Sequence, residues 1–119
     1  MARLFQRRGS TTILAVLLLV TAGATHAVGN ASGVTVINVD ARVNGLFLVT
    51  FSQAVTNAPS CVTVTNRMTG NASTPGGKAM LATALLAFST SARVALAEGT
   101  GACSEYAGIE SISILSLGQ

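Results

Sequence analysis

Few side chains in this chain can do chemistry. Its 119 residues hold one histidine, two cysteines, one tyrosine, four carboxylates and no tryptophan. Serine–histidine–carboxylate and cysteine–histidine mechanisms need a positioned base. His26 lies in a leader-like N-terminal stretch, so it is lost with the leader or left on a frayed terminus. Two cysteines without histidine partners do not make a zinc site, which takes four nitrogen or sulfur ligands. Asp40, Glu98, Glu105 and Glu110 are the material for a glycosidase pair, which needs one acid held protonated by its surroundings. Nothing in the sequence marks a pocket around any of them, and each reads as a solvated surface carboxylate. Gly99, Gly101 and Gly108 precede no helical pattern and read as turn glycines, not as a phosphate loop. The expectation is a non-enzyme, with no catalytic residue, no metal and no cofactor.

Tyr106 remains. It stands beside Glu105 in the glycine-rich stretch from Gly99 to Gly108. A loop aromatic with a neighbouring carboxylate is a ligand platform, so Tyr106 and Glu105 are the candidate ligand-binding residues. The plainer alternative is an aromatic packed over a disulfide or over the end of a barrel.

The compartment follows from the first residues. Arg3, Arg7 and Arg8 precede an apolar run from Ile13 to Val20, and small residues follow with A-x-A-like sites ending at Ala24 or Ala27. This is the pattern of a secretory signal peptide. Its apolar run is shorter than the roughly 20 residues that span a bilayer. Residues 1–27 are read as leader and 28–119 as one domain, periplasmic or secreted, with no membrane span after leader removal. Taking 27 residues from 119 leaves 92, a size at which small domains often need a covalent staple. Cys61 and Cys103 enter an oxidising compartment as an even pair, so a structural disulfide is expected. The formal charge of +3 also disappears, because Arg42, Arg67, Lys78 and Arg93 balance the four carboxylates. A nucleic-acid partner needs a surviving basic patch, and none is expected. Asn30 and Asn71 each open an N-x-S sequon, which matters only in a eukaryotic secretory pathway.

The elements that would position these residues read as follows. Val28 to Ser32 is a polar lead. Val34 to Val39 is a strand whose apolar phase shifts between Val36 and Ile37, the mark of a bulge or a change of face. Asn44-Gly45 predicts a type I′ hairpin. LFLVTF, Leu46 to Phe51, is apolar on both faces and reads as a central strand. Cys61 to Thr65 alternates valine with threonine and reads as a third strand. Arg67 to Gly77 reads as a loop. A helix starts with Thr74 as cap and Pro75 at its first position, and Leu81, Ala84, Leu85 and Phe88 form its expected inner stripe. Met80 and Leu86 point away from that stripe on a helix whose one charge is Lys78, so the 78–88 helix is a candidate surface for homo-oligomers or a partner. A strand from Arg93 puts Val94 and Leu96 on one side. A last strand, Ile109 to Leu117, puts Ile112 and Ile114 on one face, with a second bulge after them. Strand, strand, strand, helix, strand, strand is the element order of an OB-fold, a five-stranded antiparallel barrel. An open antiparallel sheet with one packed helix gives the same order.

Several of these segments together resemble small secreted bacterial proteins related to the B subunits of AB5 toxins, of the subtilase-cytotoxin and pertussis-like type. They are the hairpin ending in LFLVTF, Cys61, the run KAMLATALLAFSTSARVALAEG closed by Gly101-Ala102-Cys103, and IESISIL. The resemblance spans most of the mature chain. It implies an OB-like barrel bridged by Cys61 and Cys103. In the toxins that fold assembles as a pentamer, with the equivalent helix facing the ring's interior, and binds host glycans. Lectin sites usually stack sugars on aromatic rings, and here only Tyr106, Phe47, Phe51 and Phe88 are aromatic in the mature chain, so no glycan-contact residue carries over. The expected function is a non-catalytic binding module for a glycan or a protein. The alternative is an envelope accessory or inhibitor that binds another secreted protein.

Overall fold

A computed structural model describes residues 27–118. The leader expected over 1–27 lies, except for Ala27, outside them. The described chain is mainly β with one helix: β1 (Asn30–Ala31), β2 (Val34–Ala41), β3 (Leu46–Phe51), β4 (Arg67–Asn71), α1 (Pro75–Thr90), β5 (Arg93–Gly99) and β6 (Glu110–Leu117). The strands form one six-stranded sheet. β2 pairs antiparallel with β3, and β3 with β4. β4 meets the start of β6 in parallel, Met68 opposite Glu110 and Thr69 opposite Ser111. β5 runs antiparallel to β6, and on its other edge to β1 and β2.

β3 is central, as its sequence predicts. Phe47, Val49 and Phe51 enter the core beside Val36, Met68 and Val94. Leu48 and Thr50, on the opposite face, are buried too. The Thr50 hydroxyl is enclosed there, with no hydrogen-bond partner among the described residues. The phase change in β2 is a bulge: the register with β3 shifts between Val36 and Asn38, and Ile37 is exposed. The hairpin between β2 and β3 lies where Asn44-Gly45 places it, but it is not type I′. The Gly45 N–H donates to the Arg42 carbonyl at 3.1 Å, and Gly45, with φ +86°, is the residue of that turn in the left-handed region. This is a three-residue loop closed by a left-handed glycine.

The third strand is not where alternation places it. Cys61 to Thr65 forms no ladder; Thr63 and Val64 both donate to the Gly108 carbonyl, and Val64 is exposed. The strand is RMTGN, Arg67–Asn71, inside the stretch that reads as a loop. Gly70 explains the discrepancy. Phe47 stands opposite it, and the ring fills the space a β-carbon would take. An aromatic laid over a strand glycine supplies the contact that glycine lacks. The polar lead likewise holds a short strand, β1, whose Ala31 is buried.

The helix begins as expected. Thr74 accepts a hydrogen bond from the Gly77 N–H at 3.0 Å, and Pro75 takes the first position. Its inner face differs from the expected stripe. Gly77, Ala84 and Ala87 are buried, and Met80 and Leu81 pack partly buried on the core. Leu85 and Phe88 stand exposed beside Leu86. The helix is apolar on nearly every side, so periodicity offers no contrast to orient it. Packing distance decides instead: a β-carbon on Gly77 would overlap the Asn71 carbonyl, and only small residues fit along that face.

The strand from Arg93 carries a slip that its alternation does not predict, and the last strand slips earlier than expected. The β5 register shifts between Val94 and Leu96, burying Ala97 while Leu96 is only half-buried. In β6 the shift falls between Ile112 and Ile114, so Ile112 is buried and Ile114 exposed. Cys61 and Cys103 are bonded, with 6.1 Å between their Cα atoms. Closing a loop of 42 residues stabilises the fold by roughly 4 kcal/mol in the chain-entropy view.

Two adjacent glycines give a matched test. Apart from its chain neighbours and the local helix backbone, no atom lies within 4 Å of a β-carbon built on Gly76, so Gly76→Ala is expected to raise stability by up to about 1 kcal/mol. Gly77→Ala is expected to lower it by about 1–3 kcal/mol. Denaturant midpoints at unchanged slope check both.

Candidate functional site

Three loops meet at one end of the sheet: the hairpin of Arg42 to Gly45, the turn that leads from β4 into α1, and the stretch between β5 and β6. The Ala72 N–H donates to the Gly45 carbonyl at 2.7 Å. The Asn71 carboxamide oxygen accepts from the Ser73 N–H at 2.9 Å and from the Ser73 hydroxyl. Between the first turn of α1, β4 and the start of β6 lies a cavity of about 280 Å³, lined by Asn71, Thr74, Met80, Thr100, Glu105 and Ser111 among others. The Ser111 hydroxyl fixes one wall. It lies 3.0 Å from the Ser104 hydroxyl and accepts the Glu105 N–H at 3.3 Å. The lining offers hydroxyls, a carboxamide and one carboxylate around the apolar Met80 and Ile112. Such a surface hydrogen-bonds a small polar ligand and packs one apolar face of it.

The two candidate residues have different positions there. Glu105 lines the cavity. Tyr106 is half-buried and faces the hairpin, with the Arg42 guanidinium over its ring at 5.3 Å from the centroid. That is the geometry of a cation–π contact, and it joins the hairpin to the β5–β6 loop. The sequence reading missed Arg42, because a cation at a hairpin reads as a solubility device until the facing ring is known.

The sequence reading also missed Glu110, which is not a surface carboxylate: it is 1% exposed. The Gly29 N–H donates to both of its carboxylate oxygens, at 3.1 Å each, and the Gly101 N–H donates at 2.9 Å. β-carbons on Gly29 or Gly99 would collide with the carboxylate. A buried carboxylate is tolerated when N–H donors replace its water, and here glycines let the backbone come close enough. The signal in the sequence was the glycines, not the acid.

Among the described residues no group of three or more His, Cys, Asp or Glu is placed to hold a metal ion, and no helix is long and apolar enough to cross a membrane. Comparison with known protein families, with curated proteins and with solved structures gives no match.

Tyr106 is the chain's one tyrosine, and there is no tryptophan, so tyrosine emission reports on this end of the sheet alone. Arg42→Ala is expected to change that emission while costing less than about 1 kcal/mol of stability. Emission identical to the parent would show that the contact does not persist in solution.

Proposed function

We propose that the chain is an exported, non-catalytic binding module on a five-stranded OB-type barrel, with a glycan bound in the cavity at its loop end. The pairings β2–β3, β3–β4, β4–β6, β6–β5 and β5–β2 run in a circuit. α1 falls between the third and fourth strands of that circuit, and both features support the barrel reading. The loop between the first two strands and the loop between the last two flank the ligand face in OB barrels. Here those loops are the Arg42–Gly45 hairpin and the β5–β6 stretch, bridged by Arg42 and Tyr106. The observation that carries the reading is the cavity itself: hydroxyls, a carboxamide and a single carboxylate beside apolar Met80 match the alternating polar and apolar edges of a sugar ring. The resemblance to the toxin B subunits points the same way. A disulfide is compatible with an extracellular or periplasmic site of action.

A glycan array with the oxidised, leader-free protein is expected to give hits that also change Tyr106 emission. Glu105→Ala is expected to weaken them about tenfold or more, the cost of one charged hydrogen bond. A silent array with unchanged emission overturns the glycan reading.

A second reading, a protein partner, is favoured by the outer face of α1. Leu85, Leu86 and Phe88 are each about half exposed, at 47%, 54% and 48%, and Lys78 is the helix's one charge. Contiguous apolar surface of this kind marks contacts. Self-association is expected to show as a mass above the monomer by size exclusion with light scattering, returned to monomer by Leu86→Asp. A monomer at high concentration leaves only a different secreted protein as the partner for this face.

A further inference from the structure

Glu110 has a second consequence. Every hydrogen bond its carboxylate receives among the described residues comes from a backbone N–H, of Gly29 or Gly101. Those donors replace its water but bring no formal positive charge, and among the described residues no lysine or arginine side chain is bonded to it. The residue next to Gly29 is held in place. The Val28 carbonyl accepts from the Asn57 side-chain amide at 3.2 Å, and its Cγ2 lies 3.4 Å from the position of a β-carbon on Gly101. The N–H that follows Val28 is the one on Glu110. The backbone nitrogen of Val28 is therefore fixed one residue from an enclosed carboxylate.

We propose that the leader is removed after Ala27, and that the α-ammonium this frees on Val28 is the counter-ion of Glu110. Water adds across the Ala27–Val28 peptide bond, leaving a carboxylate on Ala27 and an amine on Val28. An α-amino group titrates near 8 in the absence of a partner, so it is protonated at neutral pH. The geometry chooses between the two A-x-A-like sites. Cleavage after Ala24 leaves Thr25, His26 and Ala27 ahead of Val28 and carries the ammonium away from the carboxylate. Processing thus makes the last electrostatic contact of the fold, and Glu110 is its receptor. This proposal rests on the export reading.

The test uses the full chain with its own leader, expressed in a Gram-negative host and recovered from the periplasm. Intact mass is expected to give a start at Val28. Ala27→Leu, which blocks that site and moves the start to Thr25, is expected to lower the melting temperature by about 4 °C or more. Glu110→Gln is expected to lower it as well, and the double variant no further than Glu110→Gln alone. A wild-type start at Thr25, or losses that add in the double variant, overturns the proposal and leaves export standing. A chain that keeps its leader overturns both. If Glu110→Gln does not fold, selective acetylation of the wild-type α-amino group decides: a similar fall in melting temperature supports the pairing, and an unchanged one overturns it.

Discussion

The hydrogen bonds to the Glu110 carboxylate join parts of the chain that lie far apart in sequence. Gly29 is 81 residues away and Gly101 only nine. The same strand start organises what surrounds it: the Ser111 N–H donates to the Ala102 carbonyl at 2.9 Å, and the Ser111 carbonyl accepts the Thr100 N–H at 2.8 Å. The loop that carries Glu105 and Tyr106 is thereby built outward from the first two residues of β6. The wall of the cavity, the seat of β1 and the turn at Gly101 share one anchor. Because the donors are backbone groups, the anchor fixes main-chain position directly, without relying on the rotamers of long side chains.

Close approach is the second constraint. A small domain has little interior to fill, and this one gains contact by bringing backbones together where glycine and alanine allow it. Phe47 lies on Gly70, α1 rests on β4 through Gly77, and Thr63 packs against Gly108. These contacts replace the large interdigitating side chains of bigger cores. They also explain why Leu85, Leu86 and Phe88 are left outside: the helix sits too near the sheet for leucine or phenylalanine to fit beneath most of it.

What the sequence made legible was whatever rested on strong local signals. LFLVTF reads as a central strand, Thr74-Pro75 as the opening of a helix, and the two cysteines had only each other as partners. The bulge at Ile37 was visible as a broken alternation. Tertiary contact overrode the weaker signals. RMTGN has Thr69 as its one β-branched residue beside a glycine and an asparagine, and Phe47 covers the glycine once it is β4. Valine and threonine alternate from Cys61 to Thr65, yet the segment bonds to scattered groups, the Pro59 and Gly108 carbonyls and the Val55 N–H, and not to a neighbouring strand. The helix face was illegible because both faces are apolar. At the candidate site, Glu105 was found through its loop and Tyr106 through its chemistry. Arg42 and Glu110 depend on which distant residues they meet, which no spacing records.

The parallel pairing of β4 with β6 bears on how fast the chain assembles. Met68 and Glu110 stand side by side with the helix, β5 and the long β5–β6 loop between them in the chain. Contacts of such sequence separation slow the search, because loop-closure entropy must be met before any reward arrives. A chain built this way is unfinished for a comparatively long interval, with the edges of β4 and β5 unpaired. Over residues 28–119 the four cations balance the four carboxylates, so net charge gives those edges little repulsion against one another during that interval.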